Sequence, residues 1–133
     1  MRVTYEALAT VFALAHAETG SIAHALHVVD LARSDVAQSL KRTSMSETLR
    51  AVTEYYGVSI GRVMSSSRAR ELVRVRHMAM YLLRRQGHSY PEIGRFLDRD
   101  HTTCIHGFRM IISDPDPELH RVAETLLQKL EAR

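Results

Sequence analysis

Residues 89–112 read SYPEIGRFLDRDHTTCIHGFRMII, and this stretch decides the fold. Ser89 precedes Pro91, and Glu92 stands three positions after the serine. That is the pattern of a capping box with proline in the first helical turn. The helix it opens, PEIGRFL, is short. Asp98-Arg99 makes a tight joint, and Asp100 is a natural cap for a second helix, HTTCIHGFRMII. A short helix, a tight joint and a second helix with a polar first turn form a helix-turn-helix. A helix about 10–12 Å across fits a B-DNA major groove about 12 Å wide, and its first turn reaches the base edges. His101, Thr102 and Thr103 can donate, accept or touch a thymine methyl from there. Cys104, Ile105, Phe108, Ile111 and Ile112 are expected to pack on the far side, with Gly107 letting a neighbouring helix approach. The backbone N–H groups at the start of this helix suit a phosphate as well as they suit Asp100.

Charge is distributed in the same sense. The chain of 133 residues carries a formal net charge of only +3. Residues 62–109, however, hold ten arginines and no lysine against four acidic residues, and the remainder is net acidic. Arginine offers a planar fork that matches phosphate and the guanine edge, whereas lysine is a point charge. A segment this biased points to a polyanionic partner.

Elsewhere helix signals recur and strand signals are nearly absent. Leu8, Val11, Phe12 and Ala15 form one apolar stripe, and Gly20-Ser21 ends that helix and caps the next. Ile22, Leu26, Val29, Val36 and Leu40 make a second seam, interrupted by Arg33. KRTSMS at 41–46 reads as a short polar joint. A third helix follows with Leu49, Val52, Tyr55 and Tyr56 on one side and Gly57 at its end. VSIGRVM is a helical turn and SSSRAR a flexible basic link. A long helix spans about 69–86 before Gly87, and after DPDP a last helix covers 117–130 with Val122, Leu126 and Leu130 on one face. The expected fold is all-α: a helical bundle holding a helix-turn-helix, with an N-terminal helical extension at 1–42 and a DNA-binding domain at 45–133. The amino terminus loosely imitates a signal peptide, but Glu6 and the periodic spacing of its apolar residues favour an amphipathic helix. No run of 18 apolar residues exists, so no membrane span is expected. A single cysteine, Cys104, excludes an internal disulfide and fits a reducing compartment. A cytoplasmic, nucleoid-associated protein is expected.

From Met45 to Ile111 the sequence resembles domain IV, the C-terminal DNA-binding domain of the bacterial replication initiator DnaA. AVTEYYGVS, SSSRARELVRVRHMAMYL, SYPEIGRF and above all RDHTTCIHGFRMI carry the resemblance. It implies a Trp-repressor-like helix-turn-helix that binds double-stranded DNA. By position it implies a minor-groove role for Arg70, and base reading by Arg76 and His77 on the long helix and by Asp100, His101, Thr102 and Thr103. It implies phosphate-side contacts for Arg84, Tyr90 and Pro91; Arg68, Arg74 and Arg99 are expected to join them. His77 replaces the family's usual glutamine, and the joint FLDRDH is one residue shorter than the common glycine-containing form. No G-x-x-x-x-G-K-[ST] segment is present, so neither nucleotide binding nor the initiator's ATP-driven assembly is expected of this chain.

Other chemistry fits less well. His101 beside Asp100 lacks a nucleophile or a third triad member, so no enzyme activity or catalytic residue is expected. The eight histidines lack metal-binding spacing, His101 and His106 lying five apart, so no metal or cofactor is expected. Cys104 and the tyrosines at 55 and 56 read as packing residues. The function expected is sequence-specific regulation of transcription, with phage or gene-transfer-element origin in keeping with a stand-alone domain. Modulation of replication initiation at the origin is the alternative, and an adaptor recruiting RNA polymerase through residues 1–42 is a third. Residues 1–42 serve either as packing for the DNA-binding core or as a surface for a second copy or another protein.

Overall fold

A computed structural model describes residues 5–20 and 22–132, without the side chains at 5, 15, 18, 19, 35, 36, 38, 39, 42 and 43. Among the described residues there are seven helices and no strand: α1 (Tyr5–Thr19), α2 (Ile22–Tyr56), α3 (Ile60–Met64), α4 (Arg70–Arg85), α5 (Tyr90–Leu97), α6 (His101–Ser113) and α7 (Pro117–Glu131). The fold is all-α, and α5 and α6 form the helix-turn-helix. Ser21, expected to cap α2, and the side chains of Ala15 and Val36 lie outside the described residues. None of the helices is long and apolar enough to cross a membrane, among the described residues.

The chain divides into two compact units, Met1–Ser44 and Met45–Arg133. In the first, Leu8, Val11 and Phe12 are half-buried and Ala25 is fully buried. The second seam is covered only in part. Val29 and Leu40 are half-buried, but Ile22 and Leu26 stand exposed, as do Leu14 and Leu31. The polar joint expected at 41–46 is absent: α2 runs through those residues unbroken. KRTSMS contains neither glycine nor proline. Serine and threonine cost a helix only a few tenths of a kcal/mol each, roughly 0.5, so polarity alone does not end one.

The second unit is built around α4. Residues 78–83 of α4, Met-Ala-Met-Tyr-Leu-Leu, are all buried, so this half of the helix is covered on every side. Leu49 and Val52 of α2, Val63 of α3, Ile93 and Leu97 of α5, Cys104 and Ile111 of α6, and Leu126 and Leu127 of α7 complete the same core. Burying one such leucine contributes roughly 1.5–3 kcal/mol. Arg85 fixes α7 from the surface, donating to Glu124 at 2.8 Å and to the Tyr81 hydroxyl at 2.6 Å. On α6 the packing face is narrower than expected. Cys104, Phe108 and Ile111 are covered, but Ile112 is 54% exposed. At 100° per residue, Ile111 returns almost to the bearing of Cys104, while Ile112 overshoots it by about 80°.

The helix-turn-helix joint is set by backbone proximity. Asp98 takes the left-handed conformation (φ 54°, ψ 50°), and its amide and that of Arg99 turn back to the Gly94 carbonyl, the latter at 2.8 Å. Aspartate tolerates this region better than most residues, so it serves in a joint that lacks glycine. A Cβ on Gly94 would lie 2.6 Å from the Arg99 carbonyl oxygen and 3.3 Å from the His101 nitrogen. Gly107 is also crowded, but by side chains: a Cβ there would meet the Met80 sulfur and, at 3.0 Å, the His77 ring. Gly94→Ala is therefore expected to lower stability by about 1–3 kcal/mol, although alanine favours a helix by about 1 kcal/mol. Gly107→Ala, facing a flexible thioether, should cost less. Urea denaturation of both variants checks the order, and equal losses would contradict it.

Candidate nucleic-acid interface

The opening turn of α6 is built outward from Asp100. Its carboxylate accepts the Thr102 amide at 2.8 Å and the Thr102 hydroxyl at 2.5 Å. Those two bonds, the hydroxyl's first, hold the Asp100 carboxyl below its ordinary 3.8. The cap is thus fully charged at neutral pH, and its contribution disappears only as pH falls through that lowered value. Thr102 gives its proton to Asp100, so outward it can accept a hydrogen bond or offer its methyl. His101 and Thr103 are exposed beside it, with His101 Nδ1 3.6 Å from Asp100. Pro91, Gly94, Arg95, Asp98, Arg99, Asp100 and His101 line a groove of about 490 Å³ between the starts of α5 and α6.

The supporting edge is ordered by aromatic contacts. Ser89 and Glu92 form the capping box anticipated for α5. The Arg84 guanidinium lies 4.7 Å over the Tyr90 ring and donates to the His88 carbonyl at 3.1 Å. Tyr90 in turn meets Phe108 edge-on, and Phe108 stacks on Tyr81. Arg84, Tyr90 and Pro91 therefore share one corner, with Arg84 and Pro91 exposed. Arg68, Arg70 and Arg74 are also exposed, at and around the start of α4. Arg62 is paired with Glu71 at 2.9 Å.

Two arginines are placed differently from the expectation. Arg76 does not present its guanidinium for a guanine edge. It is only 8% exposed, and its donors reach the carbonyls of Val63, Ser67 and Ser65 at 2.7, 2.6 and 2.8 Å. Burial, and secondly the charge of Arg99, push its pKa down. Arg99 likewise turns inward rather than towards a phosphate, donating to Ser65 O at 2.5 Å and Asp98 O at 3.1 Å. The physical reason is the same for both: carbonyls at the end of a short helix need donors, and the nearest forked ones are these. His77 is half-buried, its ring edge-on to His106 at 5.7 Å. Burial, then His106 and Arg76, lower its pKa. It is a neutral imidazole at neutral pH, with one donor and one acceptor where a glutamine amide has two N–H donors and a carbonyl acceptor. Sequence reasoning missed the carbonyl partners of Arg76 and Arg99. They lie up to 36 residues away, and no local pattern marks them.

The family model of the bacterial DnaA protein helix-turn-helix matches residues 45–111. This chain belongs to the bacterial DnaA helix-turn-helix family. Its relatives include proteins named chromosomal replication initiator protein DnaA. That of Deinococcus radiodurans is 37% identical over 95 residues, covering 69% of this chain and 20% of the relative. That of Dechloromonas aromatica is 37% identical over 111 residues, covering 80% and 24%. That of Jannaschia sp. (strain CCS1) is 37% identical over 140 residues, covering 99% and 28%. The chain thus spans roughly a fifth to a quarter of the length of these relatives. The Jannaschia match covers nearly the whole chain and so also reaches through the first 44 residues. Helix-turn-helix domains of this family are DNA-binding modules, and this one presents its polar turn to solvent.

The depressed His77 pKa has a measurable consequence. The unfolded chain takes up that proton near pH 6.5, before the folded one does. Stability should therefore fall as pH drops below 6.5 and level off below the folded-state value. In His77→Gln that part of the loss should vanish. Urea unfolding of both proteins at pH 7.5, 6.5 and 5.5 reads it, and parallel pH profiles would exclude this role for His77.

Proposed function

We propose that this protein binds double-stranded DNA in a sequence-specific way, through α6 in the major groove and the 66–70 arm in the minor groove. One observation carries the reading: an exposed polar turn, capped by Asp100 and opening a helix packed on the core, shares its groove with the exposed Arg95. His101, Thr102 and Thr103 inspect base edges. Asp100 takes part through Thr102, whose acceptor and methyl it leaves facing out. His77 adds a neutral donor and acceptor at the edge of α4. Arg70 occupies the minor groove, while Arg68, Arg74, Arg84, Tyr90 and Pro91 lie along phosphates. The target resembles an initiator box, altered where His77 and the short joint differ.

The biological role we propose is regulation of transcription. A second reading, occupancy of initiator boxes to modulate replication, is supported by the relatives, which are named replication initiators. Genome-wide occupancy separates the two: promoters for the first, the origin for the second.

Selection of bound duplexes from a random pool tests the core claim, a single enriched motif being the expected result. On that motif Thr103→Ala should weaken binding by about 1–3 kcal/mol and relax the preference at one position. Arg84→Ala should weaken all sequences alike and flatten the salt dependence by about 0.9. A change of sequence preference in Arg84→Ala, or no enriched motif, would refute the assignment.

A further inference from the structure

Segment 62–69 leaves α3 and leads into α4, and its carbonyls are gathered by two guanidinium groups. Val63 O accepts Arg76 Nε at 2.7 Å and Arg99 Nη2 at 3.4 Å. Ser65 O accepts Arg76 Nη2 at 2.8 Å and Arg99 Nη2 at 2.5 Å. Arg76 also reaches Ser67 O at 2.6 Å and Arg62 O at 3.4 Å, and Arg99 reaches its own joint at Asp98 O and Leu97 O. Two cations converge on the same two oxygens. Like charges repel, so this geometry persists only because several carbonyl dipoles face them. The positions of the two arginines give it meaning. Arg99 directly precedes Asp100, the cap of the α6 opening turn, and Arg76 lies in the middle of α4. The carbonyls they hold lie just before Arg68 and Arg70. From Ser65 to Arg68 the chain spans at most about 10 Å, so pinning Ser65 and Ser67 restricts where the arm can go.

We propose that Arg99 and Arg76 are positioning residues that tie the 62–67 segment to the helix-turn-helix joint, so that the basic arm and the opening turn of α6 meet DNA in one fixed register. The proposal rests on the DNA-binding reading above and deepens it. Arm and turn then act as a single recognition unit, and Arg70 gains its specific contribution only while Arg99 holds the segment. A phosphate contact by Arg99 would act instead as an independent attachment.

The test uses the full chain, the duplex it selects from the random pool and a scrambled duplex of equal length. Variants are Arg99→Met, Arg99→Lys, Arg70→Ala and the Arg99→Met/Arg70→Ala pair. In the free protein, hydrogen exchange at the Ser67 and Ala69 amides, which bond Ser65 Oγ and Ser67 Oγ, should speed up about tenfold in Arg99→Met with helix content unchanged. Affinity for the selected duplex should fall about tenfold and for the scrambled duplex less than about twofold. The Arg70→Ala loss, about tenfold in the parent, should shrink to about twofold in the Arg99→Met background. Arg99→Lys keeps the charge but not the fork, should follow the same pattern, and carries the test if the methionine variant fails to fold. Unchanged exchange overturns the proposal. So do additive Arg99 and Arg70 losses accompanied by a salt slope shallower by about 0.9, the signature of a direct phosphate contact. Absence of any selected motif would sink the DNA-binding reading, while the exchange result would still decide whether Arg99 pins the segment.

Discussion

Where α5 meets α6, main chain touches main chain with no room for a side chain between. Gly94 packs against the Arg99 carbonyl and the His101 amide, and that contact fixes the angle at which α6 leaves the joint. The rest of the interface follows from it. Asp98 must turn through the left-handed region, Asp100 then falls where it can cap α6, and the cap orders Thr102. The buried half of α4 is the anvil for this arrangement, since α6 packs chiefly against α4 and α5. A helix covered on all sides cannot rotate to relieve a misfit, so an error at the joint would move the opening turn rather than the core.

The arginine-rich stretch is not one uniform basic face. Its members divide according to which oxygens lie within reach. Arg76 and Arg99 meet carbonyls of segment 62–67; Arg62 and Arg85 meet the carboxylates of Glu71 and Glu124. Arg68, Arg70, Arg74, Arg84, Arg95 and Arg109 are exposed, and it is this subset that can attract a polyanion at long range. Of these, Arg95 lines the groove beside Asp100 and His101, and Arg84 lies over the Tyr90 ring. The inward pair contributes rigidity instead, which is why equal charge does not imply equal function.

Residues 1–44 form a unit of their own, in which Leu14, Ile22, Leu26 and Leu31 stand exposed among the described residues. The similarity to the Jannaschia initiator extends across them, whereas the family model begins at residue 45. Continuity of α2 through 41–46 follows from composition: a polar stretch without glycine or proline has no local reason to leave a helix.

Elements that depend on near neighbours are legible in the order of residues. Ser89 with Glu92, and Asp100 ahead of α6, are caps made within three residues, and both form as their spacing dictates; the structure adds a third in Asp116 ahead of Pro117. The all-α class and the polar opening turn follow from the same local rules. Long-range packing chose which arginines face outward, how closely Gly94 meets the joint backbone, and that Ile112 lies off the packing face. Each of these depends on groups brought together from distant parts of the chain, and the energies that choose among them come from desolvation and contact, which periodicity and spacing do not encode.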